Sequence, residues 1–160
     1  MRVVGIDPGL KATGYGFVEE SDGKIVLLET GTIEPKQKDP LGKRIERIYG
    51  IVNDLLAQYK PQLLVLEKLY AHHQHPTTAS LLGHVRGAIC LITAQRNVEL
   101  AEYSVKRIRK ALTGNGNATK VQTQRVVADL LRIDANKLTL DASDALALAL
   151  GHLSMNRRLR

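Results

Sequence analysis

The chain has 160 residues, 44% apolar and 24% charged, which is the composition of a globular protein with room for one sizeable core and excludes a disordered or fibrous chain. Twenty-three basic side chains against sixteen acidic ones give a formal charge of +7, so the natural partner is a polyanion: nucleic acid first, an anionic membrane surface second. Cys90 is the only cysteine, which excludes an intrachain disulfide. The start MRVVGID lacks a signal-peptide core, and no run approaches ~18 apolar residues, so the expected location is cytoplasmic with no membrane attachment.

Residues 2–7 read as a short β-branched strand stopped by Pro8-Gly9. Thr13–Glu20 and Lys24–Glu34 read as two further strands joined by the Ser21-Asp22-Gly23 turn, a hairpin. Asp39-Pro40 has the form of an N-cap followed by proline at the first helical position. Leu41, Ile45, Ile48, Val52, Leu55 and Leu56 then recur at helical spacing until Pro61. Leu63–Leu66 is a continuous apolar run, as expected of a central strand covered on both faces. A polar loop over 71–76 leads into a helix over about 77–95, a candidate dimer interface, with Cys90 as a small core residue within it. Val98–Tyr103 reads as a fifth strand, and helices follow over 105–112, 119–132 and 141–155. The order βββαβαβααα has no internal repeat. It predicts one α/β domain over residues 1–156, a five-stranded mixed sheet with helices on both faces, ending in a mobile basic tail over 157–160.

Four carboxylates stand where charge is costly. Asp7 closes the run Val3-Val4-Gly5-Ile6 and Glu67 closes Leu63-Leu64-Val65-Leu66, while Asp141 and Asp144 open a helix followed by the apolar stretch Ala145–Leu150. If the strands carrying Asp7 and Glu67 are neighbours, their C-terminal ends put both acids in the crevice where open α/β sheets bind ligands. Asp141 and Asp144, three apart, share a helix face. With no basic residue evident beside them, the set reads as hard oxygen ligands for Mg²⁺ or Mn²⁺. Taken singly, each acid has a bland alternative: Asp7 as a turn cap, Asp141 as a helix N-cap, Asp144 complementing the helix dipole. His72, His73 and His75 are irregularly spaced, with no fourth ligand to make a zinc site. Lys106, Arg107, Arg109 and Lys110, followed by the amides of Gly114–Asn117 and by Lys120, are suited to phosphate, the alternative being a solvated helix face.

Several of these motifs together, Gly5-Ile6-Asp7-Pro8-Gly9 with Thr13-Gly14-Tyr15-Gly16, Leu82-Gly83-His84-Val85-Arg86-Gly87, Glu67-Lys68-Leu69-Tyr70, Glu102-Tyr103 and Asp141-Ala142-Ser143-Asp144-Ala145, resemble the RuvC family of Holliday-junction resolvases over nearly the whole chain. The resemblance implies a ribonuclease H-like fold and a homodimer making paired nicks across a four-way DNA junction. It also implies work with the RuvA and RuvB branch-migration proteins in recombinational repair. Asp7, Glu67, Asp141 and Asp144 would hold two Mg²⁺ ions, with Mn²⁺ as a substitute and Asp7 as the bridging ligand. Some relatives carry histidine in place of Asp141. Tyr70 stands where the family has an aromatic residue able to stack on an unpaired base; its alternative is a half-buried tyrosine anchored through its hydroxyl. Two lysines flank the family's glycine-rich loop: Lys120 matches the second and Arg109 replaces the first. Three competing readings are a YqgF-like nuclease acting on RNA, an actin-like phosphotransferase, for which the chain is short, and a catalytically silent junction-binding protein.

Overall fold

A computed structural model describes residues 1–69 and 76–157. Its sheet runs in the order β3-β2-β1-β4-β5, from β1 (Arg2–Asp7), β2 (Thr13–Ser21), β3 (Lys24–Ile33), β4 (Leu63–Glu67) and β5 (Glu99–Tyr103). The first three strands are an antiparallel meander, and β1, β4 and β5 are parallel. The parallel members are joined through α1 (Leu41–Tyr59) and α2 (Pro76–Arg96). Three more helices follow: α3 (Val105–Thr113), α4 (Lys120–Leu131) and α5 (Leu140–Arg157).

The period of two in the strands divides the core into two layers. Val3, Val18, Leu63 and Val65 face α3, α4 and α5, and pack on Ile108, Val127, Leu146 and Leu150. Val4, Ile6, Phe17, Leu64 and Leu66 face α1 and α2, and pack on Ile48, Val52, Leu56, Val85, Ile89 and Ile92. Helix α5 is apolar on nearly every side from Ala145 to Leu150 because it is surrounded: the sheet lies under it and α3 and α4 flank it. Its close seat on the sheet depends on glycine at two positions below it. A Cβ on Gly5 would lie 1.9 Å from the carbonyl oxygen of Ala145, and one on Gly14 would lie 2.0 Å from that of Asp141.

Local details differ from the sequence reading. Helix α1 begins at Leu41 after Pro40, without a side-chain cap, so Asp39 does not act as its N-cap. A short 3₁₀ turn, Ala135–Lys137, precedes α5. That last helix is capped by the Thr139 hydroxyl, which accepts from the Ala142 amide at 3.1 Å; this removes the N-cap alternative for Asp141. Helix α5 continues to Arg157, one residue into the segment expected as a tail, and residues 158–160 lie outside the described residues. Among the described residues no helix is long and apolar enough to cross a membrane.

Candidate active site

Alternation along β1 and β4 determines where the first two acids point. Gly5 and Val65 face α5, so Asp7 and Glu67, two residues on, emerge on that same face. The strands are parallel and registered through Ile6–Leu66, so both carboxylates leave the sheet side by side, one residue beyond that pair. Helix α5 supplies the other two. Gly14, the cross-strand partner of Asp7, lets the Asp141 backbone rest directly on β2, which brings the first turn of α5 against the end of β1. Asp7, Glu67 and Asp144 line a cavity of about 230 Å³ together with Arg109, Lys120 and Thr123. Asp141 lies one turn before Asp144, outside this lining but close enough to act on Asp7 electrostatically.

The charges show the strain of this arrangement. Burial first, and then the negative charges of Asp144, Glu67 and Asp141, push the Asp7 carboxyl from its ordinary 3.8 up to about 7. Glu67 is raised as well, chiefly by burial and next by Asp144, against the opposing pull of Lys120, Arg109 and Arg86. The expectation of no basic residue nearby is therefore corrected. The Lys120 ammonium donates to Asp144 Oδ2 at 2.7 Å, a pairing across 24 positions of sequence that no local pattern announces.

A divalent cation fits this donor set on its chemistry: four carboxyl groups, two of them on rigid strand ends, outnumber the Lys120, Arg109 and Arg86 cations that act on them, and Asp7 resists ionisation because it is buried and then because the other three acids surround it. Asp7, Glu67, Asp144 and Asp141 are the residues that would hold it. Among the described residues no group of three or more His, Cys, Asp or Glu side chains is placed to hold a metal ion as it stands, so holding one requires these side chains to turn toward each other.

Of the expected phosphate-binding residues, the fold brings Arg109 and Lys120 into the cavity and leaves Lys106, Arg107 and Lys110 exposed on α3. Arg107 lies over the Tyr103 ring at 5.0 Å. In the glycine-rich loop, three of the four amides expected to meet phosphate, those of Gly114, Asn115 and Asn117, are engaged within the chain. The Gly114, Asn115, Asn117 and Ala118 amides donate to Lys110 O, Thr113 Oγ1, Asn115 Oδ1 and Asn115 O. The loop serves as the C-cap of α3, with Gly114 at φ 79°, leading into the Thr119–Gln122 capping box of α4. Tyr70, and with it His72, His73 and His75, lies outside the described residues.

Arg86 had no role assigned from sequence. Its side chain, 11% exposed, reaches from α2 to donate to the Glu67 backbone carbonyl and to the Glu102 carboxylate on β5. It ties the strand end bearing Glu67 to its neighbour. The available signal was an arginine beside Val85 on an otherwise apolar helix face.

The family model for "Crossover junction endodeoxyribonuclease RuvC" matches residues 3–152. A protein of that name from Rhodopirellula baltica is 37% identical over 96% of this chain and 87% of its own length. Its namesake from Halorhodospira halophila is 40% identical over 94% and 89%. In three dimensions the chain is similar to Thermus thermophilus RuvC with a TM-score of 0.88 at 27% identity, covering 99% of this chain and 96% of that one. The Thermus protein in complex with Holliday junction substrate aligns with the same TM-score at 25% identity.

Proposed function

The chain belongs to the RuvC family of crossover junction endodeoxyribonucleases, and from that premise we propose that it hydrolyses phosphodiesters in four-way DNA junctions at the cavity bounded by Asp7, Glu67 and Asp144. The observation that carries this reading is the convergence of those three acids, with Asp141 against them, at one sheet edge of a chain with net charge +7. Asp7, Glu67, Asp141 and Asp144 would hold two Mg²⁺ ions, with Mn²⁺ able to substitute. The chemistry such a site would supply is positive charge beside the oxygens of the phosphodiester on which negative charge develops. Arg86 keeps Glu67 aimed into the cavity through the backbone carbonyl it holds. Arg109 and Lys120 draw the scissile phosphate toward the acids, a task their position at the lining suits.

Two symmetric nicks need two such cavities facing one junction, so the active species is a homodimer. The exposed Leu81 and Leu91 on α2 offer apolar surface for that contact. Family membership supports action in the cytoplasm beside the RuvA and RuvB branch-migration proteins. The direct test is incubation with synthetic four-way junctions beside matched linear duplex, with and without Mg²⁺. Paired nicks in junctions alone, and only with the cation, are the expected result; equal cutting of duplex would refute the substrate assignment.

Replacing Arg109 and Lys120 together by alanine is expected to weaken binding to every DNA form and to flatten its salt dependence. Each lost phosphate contact removes about one from the slope of log affinity against log salt. An unchanged slope would return both residues to the ordinary surface. Tyr70 is proposed to stack on a base at the opened junction centre. Tyr70→Ala should then cost roughly 1–3 kcal/mol in junction cleavage while Tyr70→Phe keeps most of it, since stacking needs the ring and not the hydroxyl. Undiminished cutting by a stable alanine variant would remove Tyr70 from the mechanism, and a phenylalanine variant that melts early would mark its hydroxyl as a structural anchor.

A further inference from the structure

Lys120 is tied to the site by its backbone position and by an ion pair, although its side chain is largely exposed. It is the first residue of α4, fixed by the capping box in which Thr119 Oγ1 accepts from the Gln122 amide and Gln122 Oε1 accepts from the Thr119 amide. From there its side chain, 58% exposed, crosses to Asp144, which is 28% exposed, and joins the cavity lining. Four acids face this one ammonium and the Arg109 and Arg86 guanidinium groups, and of these three cations Lys120 alone is paired directly with one of the four carboxylates. The ammonium and a divalent cation therefore compete for one carboxylate, and phosphate and Asp144 compete for one ammonium.

We propose that Lys120 is an internal counter-ion that couples cation binding to DNA binding: it stands in on Asp144 until a divalent ion displaces it, and the released ammonium then takes the incoming phosphate. This rests on the metal-site reading of the four acids. The coupling runs both ways, because thermodynamic linkage requires that a phosphate which draws Lys120 off Asp144 raises affinity for the cation by the same factor as the cation raises affinity for the phosphate. The exchange moves no proton. Lys120 stays charged in both states, as the hydrogen bond to Asp144, which raises its pKa further, requires in the first.

The test is calorimetric titration of the DNA-free protein with Mn²⁺, for the wild type, Lys120→Gln, Lys120→Arg and Lys110→Gln. Removing the internal competitor should tighten Mn²⁺ binding by about five- to tenfold in Lys120→Gln, the low end of ordinary coupling energies. Lys120→Arg, which keeps the charge and the reach, should stay near wild type. Lys110→Gln, an equal change of net charge on the exposed face of α3, should stay there too. A second titration in the presence of a four-way junction with hydrolysis-resistant linkages should show a gain in Mn²⁺ affinity that shrinks in Lys120→Gln. If wild-type Mn²⁺ binding survives Asp7→Asn unchanged, the metal site itself is misplaced. If that binding is lost in Asp7→Asn but is equal or weaker in Lys120→Gln, the metal site stands and the counter-ion role is overturned.

Discussion

Asp7→Asn should leave a protein that binds four-way junctions almost normally, cuts them about 10²–10³-fold more slowly, the order of loss for one preorganised electrostatic group, and is more stable than the wild type when metal is absent. The first two outcomes follow from the division of labour proposed above, with affinity from the basic surface and chemistry from the acids. The third follows from charge. Asp7 in the folded protein titrates near 7 rather than 3.8 because it is buried among Asp144, Glu67 and Asp141. Between those two values the folded state holds a proton that the unfolded state has lost. The contribution of Asp7 to stability is therefore complete below the ordinary carboxylate value and is lost as pH rises through about 7. Asparagine removes that loss, a gain on the order of 2–4 kcal/mol at neutral pH that should vanish near pH 4. Urea unfolding in EDTA at several pH values reads it directly. Added Mg²⁺ should stabilise the wild type by mass action and leave Asp7→Asn unmoved. A variant no more stable than wild type at neutral pH in EDTA would mean that the acids do not crowd Asp7 as the fold places them.

Much of this site was legible in the sequence because strands carry their own directional code. In Val3-Val4-Gly5-Ile6-Asp7 and Leu63-Leu64-Val65-Leu66-Glu67, an acid at the end of an apolar run can only emerge at a strand's C-terminal edge, and the parallel pairing of β1 with β4 does the rest. The five-stranded mixed sheet and the apolar character of α5 were readable for the same reason: period and composition are local. What escaped was non-local. Lys120 on Asp144 and Arg86 on the Glu67 carbonyl join residues far apart in the chain, through long side chains whose direction no periodicity fixes. The internal bonding of the loop at Gly114–Asn117 escaped for a related reason. The loop's composition suits an anion cradle, but Thr113 and the Asn115 side chain compete for the same amides and win locally. Asp39-Pro40 failed as a cap because the helix starts one residue later than its sequence signature suggests.

The two glycines under α5 should separate the fold from the site. Alanine at Gly5 sets a methyl 1.9 Å from the Ala145 carbonyl oxygen and 3.0 Å from the Ala149 amide nitrogen, in the middle of the most enclosed helix. Relief requires lifting α5 off β1, which opens the layer containing Val65, Leu146 and Leu150. A cost of about 3 kcal/mol or more is expected, a large part of the stability of an ordinary domain. Alanine at Gly14 meets the Asp141 carbonyl oxygen at 2.0 Å and the Ala142 nitrogen at 3.0 Å, and here the collision is with the first turn alone. That turn ends in the Thr139 cap and has solvent beyond it at Leu140, so it can yield at a smaller cost, about 1–3 kcal/mol. The movement carries Asp141, and with it the start of the helix bearing Asp144, away from Asp7. Displacement by an ångström at a reacting centre costs about 10²-fold in rate. Gly14→Ala should therefore fold, bind junctions and show weakened Mn²⁺ binding with cleavage down by about that factor, whereas Gly5→Ala should accumulate poorly or melt early. Cleavage and Mn²⁺ affinity at wild-type level in a folded Gly14→Ala would show that the position of the first turn of α5 is immaterial to the chemistry, and would remove Asp141 from the ligand set.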